Sequence, residues 1–386
     1  MHKQATPAIP KPNAFAAGAK SLPQKHFVSP EVFAAEQQKI FAKQWLLVGH
    51  VSQLPDPGHY IVQDVNRESL IVIRDRDGEI RGFYNVCRHR GTRLKENACG
   101  HSSTIQCPYH AWTYGLDGRL IGAPHMDDVA GFDKGDYPLH QVNIGVWEGF
   151  IFVNLADSLT SILSQRERRT ESDAQSLEEW FAPLKGKFSH WNMSILRSAK
   201  RITYDVHANW KLMFENYSEC YHCPGVHPQL QKVSPYDSAE NDLREGPFLG
   251  GFMKINPGKS LTMSGNACAA FVGDVKNLQQ VFYYSISPNM LLSLHPEYVM
   301  LHQLWPQSPE RTLIICDWLF HPDAFGAKNF NPQDAIEFWD MTNKQDWHVC
   351  ELSQQGISSR AYEPGPYSSR ESIPAAWDEY YLNVMG

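Results

Sequence analysis

Glu219, His222 and His227 stand close together in the spacing E-x2-H-x4-H. Two neutral imidazoles and one carboxylate from elsewhere in the chain would form a facial triad. That donor set suits a redox-active Fe(II) that keeps positions open for O2. The spacing predicts a helix over residues 209–221, with Glu219 and His222 one turn apart on the same face. Pro224 and Gly225 should end it, and the chain then folds back to bring His227 beside His222. On spacing alone, a structural role for the paired histidines stays open.

A second set lies upstream. Cys87 and His89 form C-x-H, and Cys107 and His110 form C-x2-H seventeen residues later. Two Cys and two His suit a tetrahedral Zn2+ site. Zinc sites, however, commonly pair Cys with Cys and His with His along the chain. Here each loop offers one thiolate and one imidazole, as a [2Fe-2S] cluster with two thiolates on one iron and two imidazoles on the other requires. Cys99 fits neither pair and reads as a spectator thiol.

The elements that would hold these residues follow from pattern. Ser29-Pro30 reads as N-cap and first residue of a helix running to about Trp45. From Leu46 the apolar period shortens to two, with strands near residues 60–62, 70–73 and 80–86 and an Asp77-Gly78 hairpin turn. This predicts a small all-β unit ending near Asn154. A polar, charged stretch at residues 155–190 reads as a linker with a helix, its Gln165–Arg169 run a solvated face. Residues 228–265 look irregular, with Phe248-Leu249-Gly250-Gly251-Phe252 marking a turn in a pocket-lining segment. Four apolar or alternating runs between residues 282 and 320 predict an antiparallel sheet. A long helix over residues 333–355 carries Asp346, and an extended Pro-fixed tail precedes a last helix over residues 375–384. Residues 1–25 read as a flexible arm.

Composition narrows the function further. The formal net charge is −7 over 386 residues, and no Lys/Arg cluster dominates. Nucleic acid and anionic membrane are therefore poor partners. No apolar run approaches the roughly 20 residues of a membrane span, and the first residues lack the apolar stretch of a secretory signal. Eight irregularly spaced cysteines fit metal ligands and buried thiols of a cytoplasmic protein better than a disulfide framework.

Cys-Arg-His-Arg-Gly at 87–91 and Cys-Pro-Tyr-His-Ala-Trp at 107–112 resemble the two boxes of the Rieske family, and Asp117-Gly118 resembles that family's following turn. With E-x2-H-x4-H after them, the chain from Trp45 to Tyr367 resembles the oxygenase (alpha) subunit of Rieske non-haem iron oxygenases. The resemblance implies an α+β protein: an arm and helix (1–44), an all-β Rieske domain (45–156), and a helix-grip catalytic domain (157–386) whose antiparallel sheet is flanked by helices. It implies a [2Fe-2S] cluster on Cys87, His89, Cys107 and His110. It implies mononuclear Fe(II) on His222, His227 and Asp346, because Asn343-Lys344-Gln345-Asp346 resembles the element carrying the third ligand. Asp340 and Glu351 are the other carboxylates considered on that helix. Asn216 matches an asparagine near the iron. Glu219 is implied to bridge His222 and a neighbouring subunit's His110, which calls for a homotrimer. Electrons would come from NAD(P)H through a separate flavin/iron-sulfur reductase, since no nucleotide-binding fingerprint is present.

Glu219 stands where the ring-hydroxylating members carry Asp. The run Glu-Asn-Tyr-Ser-Glu-Cys-Tyr-His-Cys at 215–223 resembles the branch acting on glycine betaine, carnitine and stachydrine. So do Ser260–Gly265 and Pro364–Ser368. That implies hydroxylation of a small quaternary ammonium substrate, with Phe271, Tyr283, Tyr284 and Trp305 as candidates for an aromatic cage. Ring hydroxylation or O-demethylation by the same centre is the alternative, and a Rieske electron-transfer protein without oxygenase activity is the reading outside the enzyme class.

Overall fold

The computed structural model describes residues 18–65, 67–156, 175–272 and 279–386. The Gln165–Arg169 run and most of the N-terminal arm lie outside the described residues. From Lys20 onward the arm is tied down: Lys20 bridges Pro366 and Leu22 is buried. Ser29 caps the helix Pro30–Glu36 by accepting the Val32 N–H at 3.1 Å. The helix then widens into a π turn, Gln37–Phe41, and stops there, short of Trp45.

Ten strands follow in chain order: β1 (Leu46–His50), β2 (His59–Val65), β3 (Glu68–Arg74), β4 (Ile80–Tyr84), β5 (Cys99–His101), β6 (Ile105–Gln106), β7 (Thr113–Tyr114), β8 (Leu120–Gly122), β9 (Asn143–Trp147) and β10 (Phe150–Asn154). They form three antiparallel sheets ordered β1-β10-β9, β4-β3-β2-β5 and β6-β7-β8. Gly78 takes φ +87° in the β3–β4 turn and Gly118 φ +83° between β7 and β8, a backbone region that side chains resist. Ile71, Phe83, Ile105, Trp112 and Tyr114 fill a core of their own under the two cysteine loops.

The C-terminal half is built on one seven-stranded antiparallel sheet. Its strands are β11 (Arg197–Val206), β12 (Glu240–Glu245), β13 (Phe248–Lys254), β14 (Gln280–Ile286), β15 (Met290–Leu294), β16 (Val299–Ser308) and β17 (Arg311–Phe320), in the order β11-β17-β16-β15-β14-β13-β12. Helices Trp210–Tyr217, Pro332–Ile357 and Ser372–Met385 pack together with it. The expected turn at 248–252 is instead strand β13. Its two glycines serve close packing rather than reversal: a Cβ on Gly251 would stand 1.9 Å from the Glu240 carbonyl oxygen, and one on Gly250 2.1 Å from that of Tyr283. Residues from both halves, including Val48, Ile61, Trp210, Trp318 and Trp377, share one continuous core. No helix among the described residues is long and apolar enough to cross a membrane.

Candidate iron and cluster sites

The two cysteine loops are near copies of each other. Cys87 N–H donates to the Thr92 carbonyl at 2.8 Å and Gly91 N–H to the Cys87 carbonyl at 3.0 Å. In the second loop, Cys107 N–H donates to the Trp112 carbonyl at 2.8 Å and Ala111 N–H to the Cys107 carbonyl at 3.2 Å. The fourth residue after each cysteine turns left-handed, Gly91 at φ +75° and Ala111 at φ +57°. Each loop thus buries its cysteine and lifts its histidine outward. Cys87 and Cys107 are buried, whereas His89 is exposed and His110 half-buried. The two imidazoles lie 4.8 Å apart, and His89 stacks on Trp112 at 4.7 Å. Burial pushes the Cys87 thiol up, and the Tyr114 hydroxyl at 3.4 Å opposes that shift. Tyr114 also accepts the Arg88 N–H at 3.0 Å, fixing the loop to β7. Two buried sulfurs beneath two outward imidazoles fit a Rieske cluster. Cys99 lies on β5, exposed.

The second site is assembled from three separate segments. Asn209 caps its helix, as its N–H-accepting side chain allows, but the helix Trp210–Tyr217 ends before Glu219. Glu219 and His222 therefore sit in the loop beyond it. Pro224 and Gly225 do not end that helix; they belong to a short turn of their own, Cys223–Val226, which swings His227 back. Proline at its second position costs nothing there, because the first N–H groups of a helix have no partner. His222 and His227 face each other through their Nε2 atoms at 3.2 Å. Asp346, from the helix Pro332–Ile357, brings Oδ1 to 2.8 Å from His227 Nε2 and 3.3 Å from His222 Nε2. One donor atom from each residue lies within 4.8 Å of the others.

The outer nitrogens are also held. His222 Nδ1 bonds Glu219 Oε1 at 2.6 Å, and His227 Nδ1 bonds Gln345 Oε1 at 2.8 Å. Both imidazoles thus carry the Nδ1 proton and leave Nε2 for a metal, the usual way an outer partner sets the tautomer. Burial alone would lower the pKa of His222, yet the Asp346 and Glu219 carboxylates push it up to about 10. A pocket that draws in a proton so strongly suits a cation, and this donor set fits Fe(II). Glu219 Oε2 meanwhile accepts the Tyr221 and His222 N–H groups. Asp340 takes the Tyr204 hydroxyl and Lys344, and Glu351 takes the His207 N–H, so both point elsewhere.

Of the four cage candidates, only Tyr283 lines this pocket; Asn216 lines it as well. Tyr284, next along β14, faces the opposite side, packs on Phe188 and bonds Asp242. Trp305 lines a different cavity with Gln37 and Ile315, and Phe271 is 40% exposed. Strand alternation explains the Tyr284 misplacement, because neighbouring residues point to opposite faces, whereas Phe271 lies outside the strands. The pocket's other rings are Tyr217, His302, Trp339 and Trp347. Together with Tyr283 they make an arc in which Trp339–Tyr283, Tyr283–Tyr217, Tyr217–His302 and His302–Trp347 centroids lie 6.3, 5.9, 6.2 and 5.9 Å apart. The signal for two of them was present: Trp339, Asn343, Asp346 and Trp347 stand at i, i+4, i+7 and i+8 of one helix.

Activating O2 at one metal requires electrons delivered from another, and this chain has a place for each. Residues 44–133 match the Rieske [2Fe-2S] domain model, and residues 193–386 match that of the ring hydroxylating alpha subunit (catalytic domain). A glycine betaine monooxygenase oxygenase subunit from Pseudomonas aeruginosa is 31% identical, over 95% of this chain and 90% of its own. A carnitine monooxygenase oxygenase subunit from Acinetobacter baumannii is 36% identical, over 89% of this chain and 87% of its own. A solved quaternary ammonium Rieske monooxygenase, in complex with L-carnitine, superposes with a TM-score of 0.74 at 26% identity, covering 95% of this chain and 96% of that one. The chain belongs to the Rieske non-haem iron oxygenases, as a ring-hydroxylating-type alpha subunit with a [2Fe-2S] cluster and a mononuclear iron. Oxygenase subunits of such systems work with a separate reductase.

Proposed function

We propose that this chain oxidatively N-demethylates a small quaternary ammonium compound. The carrying observation is the aromatic arc. Five rings line a pocket whose Glu219 and Asp346 carboxylates are already paired with the histidines and the iron they would hold, so a trimethylammonium group, which offers no N–H, would bind the ring faces. His302 does not oppose a cation, because burial holds its pKa down at about 4 and the ring neutral. The Tyr283 hydroxyl is buried with no protein partner, leaving a donor for a polar tail of the substrate. The relatives named for glycine betaine and carnitine support the same reading.

Residues 45–156 would hold the cluster on Cys87, His89, Cys107 and His110; residues 157–386 would hold the iron on His222, His227 and Asp346. When bound, the cluster supplies single electrons and the iron a site for O2. The chain's own part is positional. Glu219 and Gln345 fix the two imidazoles, Asn216 borders the reacting space, and the arc places an N-methyl carbon toward the histidines. Hydroxylation of that carbon gives a carbinolamine, which collapses to formaldehyde and the tertiary amine. Glu219 would also face His110 of a neighbouring subunit in a homotrimer, with electrons from an NAD(P)H-dependent flavin/iron-sulfur reductase. The eight cysteines form no disulfide with one another, and two of them would be cluster ligands, which fits a cytoplasmic setting.

The test is formaldehyde release by iron-loaded protein with a surrogate reductase, NADH and O2. Glycine betaine, carnitine, choline and stachydrine would be compared with benzoate and methoxybenzoate. Formaldehyde from a quaternary amine alone is the expected result. Formaldehyde from the methoxy ring, or a hydroxylated ring by mass spectrometry, would move the substrate to the aromatic class.

A further inference from the structure

Behind the iron pocket lies a buried group of charges that substrate binding does not use. Lys211, fully buried on the helix Trp210–Tyr217, donates to Glu36 Oε1 at 2.5 Å. Glu36 also accepts the Tyr381 hydroxyl at 2.7 Å and Trp210 Nε1 at 2.9 Å. One ammonium thus balances one carboxylate. One turn further along the same helix, the Glu215 carboxyl meets that of Asp378 from the helix Ser372–Met385. Tyr367 donates to Asp378 Oδ2 at 2.6 Å. Glu215 Oε1 and Asp378 Oδ1 are buried, and no protein donor reaches either.

Lys211 also favours ionisation of both carboxyls, but with Glu36 the group sets three carboxyls against one ammonium, so Glu215 and Asp378 cannot both stay ionised, and a proton shared between them also satisfies both orphaned oxygens. Burial pushes Asp378 up to about 7 and Glu215 well above the carboxylate range, with each carboxyl acting on the other. The other titratable groups facing the pair are Lys211, which opposes the upward shift of both carboxyls, and the Tyr362, Tyr367 and Tyr381 phenols and the Cys350 thiol, all pushed up by burial.

Glu215 is not sealed off. It lines a cavity that also reaches Glu219, His222, Tyr367 and the half-buried Glu371. Asn216, Glu219 and His222 line both this cavity and the iron pocket, so they form the wall between them.

We propose that Glu215 and Asp378 form a proton reservoir that feeds the iron pocket past Asn216 and is refilled from the Glu371 side. The proposal rests on His222, His227 and Asp346 holding the iron. Hydroxylation balances as R–H + O2 + 2e− + 2H+ → R–OH + H2O, and cis-dihydroxylation would likewise consume two electrons and two protons. The reductase supplies the electrons. The reservoir breaks its O–H bond, releases the proton into the cavity and keeps the electron pair as carboxylate, beside Lys211. Refilling restores the O–H bond for the next proton.

The experiment joins infrared pH titration of the holoenzyme with single-turnover kinetics in H2O and D2O. Wild type should show a protonated carboxyl absorbance at neutral pH that Glu215→Gln removes. That variant should keep its cluster spectrum, its mononuclear iron and its rate of cluster reduction, while product formation slows at least about tenfold and peroxide release rises. Asp378→Asn should lower the pH at which the absorbance titrates. Absence of a protonated carboxyl in the wild-type holoenzyme would overturn the proposal, whatever the stability of the variants. So would a Glu215→Gln enzyme with the wild-type single-turnover rate and isotope effect. If instead the iron lies elsewhere, the absorbance persists but Asp346→Ala keeps its mononuclear iron, which separates that failure from failure of the reservoir.

Discussion

The proposed cluster loops and the candidate iron pocket would solve the same problem, holding a metal with imidazoles, in different ways. Each cluster loop is local: six residues, two backbone hydrogen bonds and one left-handed residue set Cys87 with His89, and the same device sets Cys107 with His110. The iron pocket is long-range. His227 and Asp346 are 119 positions apart, and they meet because the helix Pro332–Ile357 packs against the helix Trp210–Tyr217. Exposure differs as well, since His89 and His110 look outward whereas His227 is buried. A site built from local turns presents its imidazoles to a partner. A site built from packed helices would enclose a substrate.

The contrast can be broken at its joint. Glu219→Gln should leave both metals bound and slow turnover toward 100-fold, because Glu219 fixes His222 and is the group expected to face a cluster histidine. Stopped-flow oxidation of the reduced cluster with substrate present would check it, and normal coupled turnover would remove the bridging role. Gln345→Ala sharpens the comparison within the pocket. Loss of the His227 Nδ1 partner should weaken iron binding about tenfold, as read by iron titration, while the cluster spectrum stays unchanged. Tyr283→Leu should have the smallest effect, raising the Kd for a quaternary amine about 2- to 30-fold as a ring face worth about 0.5–2 kcal/mol is lost. Calorimetry with an uncharged isostere as control measures it; equal losses for both ligands would assign the effect to packing.

What the sequence made legible follows the same division. The cysteine loops were readable because the backbone hydrogen bonds and the left-handed residue that shape each turn lie within six positions, although Tyr114 and Trp112 brace the first loop from further along the chain. The sheet strands between residues 282 and 320 and the long helix were readable from apolar period. The helix limit at Tyr217 was not, because Ser218 and the loop that holds Glu219 depend on contacts such as Ser218 Oγ with Ser285 Oγ at 2.8 Å. Strand β13 was hidden by its glycines, which look like a turn until the strands on either side are known to press on them. The arc of rings was missed because aromatic content says nothing of which strand face points inward. Tyr283 and Tyr284 are indistinguishable until the register with β13 and β15 is fixed.

The most direct test of two independent metal sites in one chain is the iron and sulfide content of Asp346→Ala beside wild type, read together by Mössbauer spectroscopy. Wild type should hold about three irons per chain, two in the cluster and one mononuclear. Asp346→Ala should lose the mononuclear signal alone, keep the cluster signal and sulfide unchanged, and release no product. Retention of the mononuclear iron at full stoichiometry would contradict the assignment of Asp346, and loss of both signals would contradict the independence of the two sites.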